Sequence, residues 1–479
     1  MIFRPIRFNL QASTDIRRGT GAGRPFWRDA RPRRKSEVSK NTGGASGPRG
    51  EIMYAKRRSG IALAFAVLLS CTPLSLAASS GNDDSREVVV QWNQVLQDTI
   101  PAALGPMQFR IYAILNVAMF DAANSIKGAY TPYHVSVRAS SGASTTAAVA
   151  QAAHDVLVGL FPTNQAVYDT ALANSLAGLP SGRARQGVAV GRVVAARVLQ
   201  WRANDGASAP ATPYELPTIP GLWQPAAPGV PAGLTQLPGM TPFAIKSTTH
   251  FLPPRFPELT SARYAIDFEE VKTLGSATSA ARTAEQTQLA RLFAGVTTTT
   301  GIPVAWNNIA RDAAAHHSLS LIDTARVYAL MTTSMMDGLM TSQTSKFVYG
   351  LWRPITAIRR ADEDLNPATT ADPSWTPLLG TPPYPSYAGN MACLGASAAR
   401  ALALGVGTND VPFTVLWRGS AGNPDVPKAY SGFWRFAEDE ADSRIYGGIH
   451  YLFDNEASQV ACSEIAEYVH ETKMRPMRP

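Results

Sequence analysis

The sequence predicts an all-α protein built as two helical bundles. Three observations point there. Apolar residues recur at three- and four-residue spacing through most of the chain beyond residue 85, the period of a helix with one buried face. Strand-like alternation is scarce, and alanine is abundant within the periodic segments, where helices pack closely.

The first bundle takes Val88 to Ile100, Met107 to Ile126, Ala147 to Leu160, Gln165 to Ala177 and Arg183 to Arg202, with Pro162, Pro180 and Gly206 as punctuation. Residues 207–260 hold Pro217, Pro220, Pro225, Pro228, Pro231 and Pro238, an irregular connection between the bundles. Helices resume at Ala262 to Leu274, Ala280 to Ala294, Pro303 to His316 and Leu321 to Ser342. A second Pro-rich loop, Pro367 to Tyr387, enters an Ala-rich helix over Met391 to Ala403, and the last helix runs from Ile449 to Lys473. No internal repeat is visible. The expected division is 79–245 for the first bundle with its connection and 246–479 for the second.

The 479 residues are 45% hydrophobic and 17% charged, which excludes wholesale disorder, collagen and a disulfide-rich mini-protein. The net charge of +8 suggests a nucleic-acid or membrane surface until its location is read. Residues 1–60 carry 15 Lys and Arg against 4 acids, so the remaining 29 bases and 32 acids leave the body at −3. The basicity belongs to the leader, and no nucleic-acid partner is implied.

Residues 1–52 read as a basic extension or an over-long start. Residues 53–78 follow the secretory pattern: Lys56-Arg57-Arg58, an apolar run from Ile61 to Leu69, then Ser75 to Ala78. The run is shorter than the roughly 20 residues of a membrane span. An exported chain, periplasmic or secreted, is expected. The Leu68-Leu69-Ser70-Cys71 sequence also resembles a lipoprotein box, which would anchor the chain through Cys71. Only Cys393 and Cys462 follow the leader, enough for one disulfide in such a compartment. CxxC, HExxH, P-loop, dinucleotide and calcium-loop patterns are absent.

Three clusters carry chemistry. In the first, Lys346 and Arg353-Pro354 lie seven residues apart, two helical turns, with Pro354 setting a bend at Arg353. Two long cations can converge there on one anion. The second comprises Ser443-Arg444, Gly447-Gly448, His450 and Asp454. The glycines break the chain near a helix N-terminus, a favourable place for an oxyanion, and Asp454 can fix the tautomer of His450. The third is the loop from Thr381 to Ala392, which offers Tyr and Ser hydroxyls. Each has a blander reading: a solvated cationic face, a structural His–Asp pair at a helix start, and a plain loop.

Together the clusters resemble the signature of vanadium-dependent haloperoxidases and type 2 phosphatidic acid phosphatases: K-x6-R-P, then P-S-G-H, then S-R-x5-H-x3-D. The first and third motifs match in full. Arg110 to Ala122, Trp352 to Arg359 and Trp375-Thr376-Pro377 are similar to the bacterial haloperoxidase-related branch. The resemblance implies two helical bundles around one oxyanion, vanadate or phosphate, neutralised by Lys346, Arg353 and Arg444. It implies that His450 binds vanadium or attacks phosphorus, with Asp454 behind it. The middle motif departs: Gly389 stands at its Ser, Asn390 at its Gly and Met391 at its His, or Asn390 at the His with a one-residue slip. Gly389 and Asn390 remain candidate oxyanion contacts. The acid–base imidazole is missing, a loss that typically costs about 10²- to 10⁴-fold. His316 and His317 are the candidates to replace it.

The implied activities are halide oxidation by hydrogen peroxide with an organic acceptor, phosphate-ester hydrolysis, or oxyanion binding without turnover. No membrane span is expected in the body, and a homo-oligomer is compatible with all three.

Overall fold

A computed structural model describes residues 84–294, 301–417 and 426–477 of the chain. The basic extension, the secretory pattern and Cys71 lie outside the described residues. So do the start of the first expected division and the end of the second.

Before the long Pro-rich connection lie α1 (Glu87–Thr99), α2 (Gln108–Lys127), α3 (Thr145–Leu160), α4 (Gln165–Leu176) and α5 (Ser181–Arg202). After it come α6 (Ala262–Gly275), α7 (Ala284–Ala294), α8 (Ile302–His316), α9 (Leu321–Tyr349), α10 (Pro354–Arg359), α11 (Asn390–Val406), α12 (Phe433–Tyr446) and α13 (Leu452–Thr472). The expected all-α fold is therefore observed. Its exception among the described residues is an antiparallel hairpin, β1 (Phe413–Trp417) with β2 (Val426–Tyr430), which pairs Phe413 with Tyr430. No helix among the described residues is long and apolar enough to cross a membrane.

Helix starts follow local chemistry. Ser144, Ser261 and Ser320 cap α3, α6 and α9 by accepting amides of their first turns. Ile302-Pro303 and Pro354 place proline in the first turn, where its missing N–H costs nothing. Helix α7 begins at Ala284 rather than Ala280, because Thr283 caps it through the amide of Gln286.

Helix α2 packs on α3 and α5 and also on α9, so one hydrophobic core joins the helices before and after the Pro-rich connection. Two buried carboxylates tie loops to this core. Asp121 accepts the amides of Tyr133, His134 and Val135, and Asp337 accepts those of Phe243, Ala244 and Ile245. Cys393 of α11 and Cys462 of α13 form a disulfide that packs against Gly338 of α9. A Cβ at Gly338 would lie 2.8 Å from Cys393 Sγ, so only glycine admits this three-helix contact. The same three helices, with α12, carry the candidate site.

Candidate oxyanion site

Lys346 sits one turn from the end of α9, which closes at Gly350 in the left-handed region (φ 64°). The helix thus stops short of Arg353, whose backbone is extended (φ −80°, ψ 155°) at the N-cap of α10. The seven-residue spacing works through this break rather than along one helical face, because Pro354 and Gly350 both end helix there. The Pro-rich connection holds the break in place: Trp223 donates to Gly350 O and Trp352 to Gly221 O.

Both cations are fully buried and fold over the second Pro-rich loop. The Lys346 ammonium donates to Ser386 O at 2.7 Å and to Ala388 O. Arg353 Nε donates to Tyr384 O at 2.8 Å, and its Nη1 to Ile449 O at 2.7 Å. The Tyr384 ring lies 5.5 Å from the ammonium and 5.1 Å from the guanidinium carbon. Arg353 Nη2 is buried with no partner.

Arg444 ends α12 and donates to Phe293 O at 3.0 Å. The chain then turns through Gly447 and Gly448, the latter at φ 77°, and Gly275 of α6 approaches so closely that a Cβ there would meet Gly448 Cα at 2.4 Å. This turn delivers His450 ahead of α13, where Asp454 lies in the first turn and accepts the amide of Tyr451 at 3.2 Å.

His450 Nδ1 is 2.8 Å from Asp454 Oδ2, and its Nε2 is 3.0 Å from Arg353 Nη1. A guanidinium can only donate, so Nε2 is the acceptor and the imidazole proton is on Nδ1, shared with Asp454. Burial first, then Arg353, Lys346 and Arg444, hold the imidazole pKa well below its ordinary value. The pair is therefore a neutral imidazole hydrogen-bonded to a carboxyl group, not an ion pair.

Burial pushes Asp454 up to about 6, against the opposing pull of Ser386, Lys346 and Arg353. Burial likewise lowers Lys346, with Arg353 adding to it, and brings Arg353 and Arg444 each down to about 10. Glu440, one turn before Arg444, is pushed by burial up to about 8. Its Oε2 accepts Trp306 Nε1 at 3.0 Å while Oε1 has no partner. A carboxyl that is largely protonated at neutral pH does not cancel Arg444. Three buried cations set against a single buried carboxylate, Asp454, plus one orphaned guanidinium nitrogen, form a donor set suited to a tetrahedral oxyanion.

The sequence expectations divide as follows. Lys346, Arg353, Arg444, His450 and Asp454 are connected through the contacts and charge interactions just described. Gly389 and Asn390 are adjacent, but their polar groups are engaged: Gly389 N donates to Asp454 O at 3.1 Å, and the Asn390 amide spans Ser342 and Gln343. Met391, the second residue of α11, lines a cavity together with Asn390, His450 and Arg444. His316 and His317 end α8 and are not among that lining.

Ser386 is a participant that the motif reading passed over. Its hydroxyl donates to Asp454 Oδ2 at 2.5 Å and lies 3.5 Å from His450 Nδ1. The Pro385-Ser386 pair, the first two letters of P-S-G-H, was the available signal. Tyr384, whose ring covers two of the cations, carries no such signal.

Comparison with known proteins supports the same architecture. Residues 326–479 match the family model of the VCPO second helical-bundle domain. A solved structure described as the first bacterial vanadium-dependent iodoperoxidase is similar at 21% identity and a TM-score of 0.68, covering 83% of this chain and 99% of its own. A holo-type bacterial vanadium-dependent chloroperoxidase is similar at 15% identity and a TM-score of 0.63, covering 78% of this chain and 93% of its own. An apo-type bacterial chloroperoxidase structure gives 18% identity and a TM-score of 0.62. No curated protein matches in sequence. The family model and these folds fit a vanadium haloperoxidase-related protein.

Proposed function

We propose that this chain, with the fold and second bundle of vanadium haloperoxidases, binds a tetrahedral oxyanion between Lys346, Arg353, Arg444 and His450. We further propose that with vanadate bound it oxidises halide by hydrogen peroxide at reduced efficiency. One observation carries the reading. The lone pair of His450 Nε2 and the unpartnered Nη2 of Arg353 belong to groups already in contact, within a buried cluster of positive charge.

In this reading Lys346, Arg353 and Arg444 neutralise the anion's oxygens. His450 offers Nε2 as the ligand, and Asp454 and Ser386 hold the imidazole in the tautomer that leaves this nitrogen unprotonated, its lone pair turned to Arg353 Nη1 until an anion takes that place. Bound vanadate would supply the peroxide activation and the oxygen transfer to halide. The reduced efficiency follows from the cavity wall. Among the described residues lining it there is no carboxyl group and no imidazole besides His450, and Met391 cannot move a proton.

Vanadate titration followed by a bromide–peroxide halogenation assay tests the proposal. Vanadate binding lost in His450→Ala, with slow halogenation, supports it; binding without any halogenation removes the catalytic half. The same nitrogen favours a second reading, a soluble acid phosphatase in which His450 attacks phosphate esters with good leaving groups. Turnover of p-nitrophenyl phosphate that disappears in His450→Ala would establish it, and vanadate or phosphate binding with neither activity would leave an oxyanion-binding protein. The buried Cys393–Cys462 disulfide supports export to an oxidising compartment, testable by the chain's recovery from the periplasm or medium.

A further inference from the structure

Helix α5 carries five arginines and no Asp, Glu or Lys, although residues 61–479 as a whole are net acidic. Arg202 is buried against Asp205, whereas Arg183, Arg185, Arg192 and Arg197 are exposed. Seven residues is nearly two full turns, so Arg185 and Arg192 share one face about 10 Å apart along the axis. Exposed Ala189 and Ala196 interleave them, and Val193, 38% exposed, flanks the stripe. On the same flank Arg197 donates to Ser136 O at 3.3 Å, which draws in the loop that carries exposed Arg138. The opposite face is fixed. A Cβ at Gly187 would stand 2.2 Å from Ser144 O and one at Gly191 2.4 Å from Ala148 O, so α5 sits hard on α3. The nearby acids are engaged elsewhere. Asp155, the one acid of α3, accepts Gln151 Nε2 and meets His154; Asp121, the one acid of α2, accepts loop amides; Asp205 takes Arg110 and Arg202. Arg138, Arg185 and Arg192 have no carboxylate partner among the described residues.

We infer that this face of α5, together with the loop around Arg138, docks on an anionic phospholipid surface. An ordinary soluble surface intersperses both signs of charge, whereas here only one sign is present. Guanidinium forks match phosphate oxygens, the headgroup chemistry of such a surface. The small residues between the arginines let the helix lie close against the headgroups, and Val193 meets their boundary with the acyl chains. The helix rests on the bilayer rather than crossing it, in keeping with the lack of any described helix long and apolar enough to span. A nucleic-acid strand would call for aromatic rings between the cations to stack its bases, and the stripe holds none. Each arginine near an anionic leaflet contributes about fivefold in affinity. Added salt weakens the attraction, because the screening length falls from about 10 Å at 0.1 M to about 3 Å at 1 M.

The basic residues of the leader can attract anionic vesicles by themselves, so the reporter has to sit on the helix. Ala189→Cys in a Cys71→Ser background, labelled with an environment-sensitive dye, is titrated as the full chain with two kinds of vesicle. One is phosphatidylcholine alone, and the other is phosphatidylcholine with one part in three phosphatidylglycerol. The dye is expected to shift on the anionic vesicles only, and the shift to vanish at high salt. Arg185→Gln with Arg192→Gln should raise the lipid concentration at half-shift by about 25-fold, fivefold for each charge, in a protein that melts like wild type. The same charge change at exposed Arg255 and Arg291, outside this face, should leave it within about twofold. A chain that sediments with anionic vesicles while the dye is silent is held by its leader, and the docking face is overturned. So it is if the shift is equal on neutral vesicles or survives the double substitution. A dye that responds to heparin but not to vesicles reassigns the face to a soluble polyanion and overturns the lipid surface.

Discussion

Ser386→Ala separates the histidine half of the site from its cations. The hydroxyl donates to Asp454 Oδ2 at 2.5 Å, and neither side chain reaches solvent. A hydrogen bond to a charged group contributes about 1.5–3 kcal/mol net. Asp454 keeps two donors, His450 Nδ1 at 2.8 Å and the Tyr451 amide at 3.2 Å, so it is weakened rather than stranded. Lys346 is untouched, because its acceptors are the main-chain carbonyls of Ser386 and Ala388. The expected loss of unfolding stability is therefore about 2 kcal/mol. Part of it reappears as looser orientation of His450. A loss of 1.4 kcal/mol is one factor of ten, so vanadate or phosphate affinity should fall by up to about tenfold without disappearing. Urea denaturation and calorimetry read the two quantities separately. Stability within about 0.5 kcal/mol of wild type, together with unchanged affinity, would refute the claim that Ser386 holds the His450–Asp454 pair.

Other perturbations follow from the same contacts. Met391→His should raise whichever activity exists, because position 391 faces the cavity with His450, whereas Asn390→His should lower it by breaking the bonds to Ser342 and Gln343; turnover of bromide and of p-nitrophenyl phosphate decides between them. Burial raises Asp121 and Asp337 to about 6. With folded values above the unfolded one near 3.9, their contribution is complete below about pH 4 and is lost as pH rises through 6, by roughly 3 kcal/mol each. The slope of unfolding free energy between pH 4 and 6 should therefore flatten in Asp337→Asn, and an unchanged slope contradicts burial as the cause. Reducing the Cys393–Cys462 bond, which closes a separation of 69 residues, should cost about 4 kcal/mol of stability on loop entropy, read from melts with and without reductant.

The periodic helices were legible because their apolar faces meet the core, and most of their predicted ends lie close to the observed ones. Helix α12 was not, although it carries Arg444. Its inward face includes Glu440, Ser443 and Arg444, so burial there does not follow hydrophobicity. The hairpin escaped for a related reason: β2 reads Val-Pro-Lys-Ala-Tyr, with a proline that argues against a strand. Helix α9 continues past Ser342 through Gln343, Thr344 and Ser345, all buried and polar, to reach Lys346. At the site, the residue types named the chemistry while tertiary contacts assigned the roles. Ser386 lies far in sequence from both His450 and Asp454, and no spacing rule joins them.

The departures from the resembling motif have a common direction. A middle motif that lost its imidazole could have left the cationic cluster to decay into ordinary ion pairs. Instead, Lys346 and Arg353 are held by carbonyl oxygens of the loop and the His450 turn, which satisfy most of their donors but not Arg353 Nη2, without cancelling their charge. The one carboxyl beside Arg444 is shifted by burial toward its neutral form. Such an arrangement costs folding free energy, since buried cations are stabilised only when something negative answers them. Asp454 answers part of that charge from within the chain, and the oxyanion proposed above, seated on His450 Nε2, would answer the rest. In the proposed reading, proton transfer is what the altered loop gives up, while anion binding is what the remaining contacts would sustain.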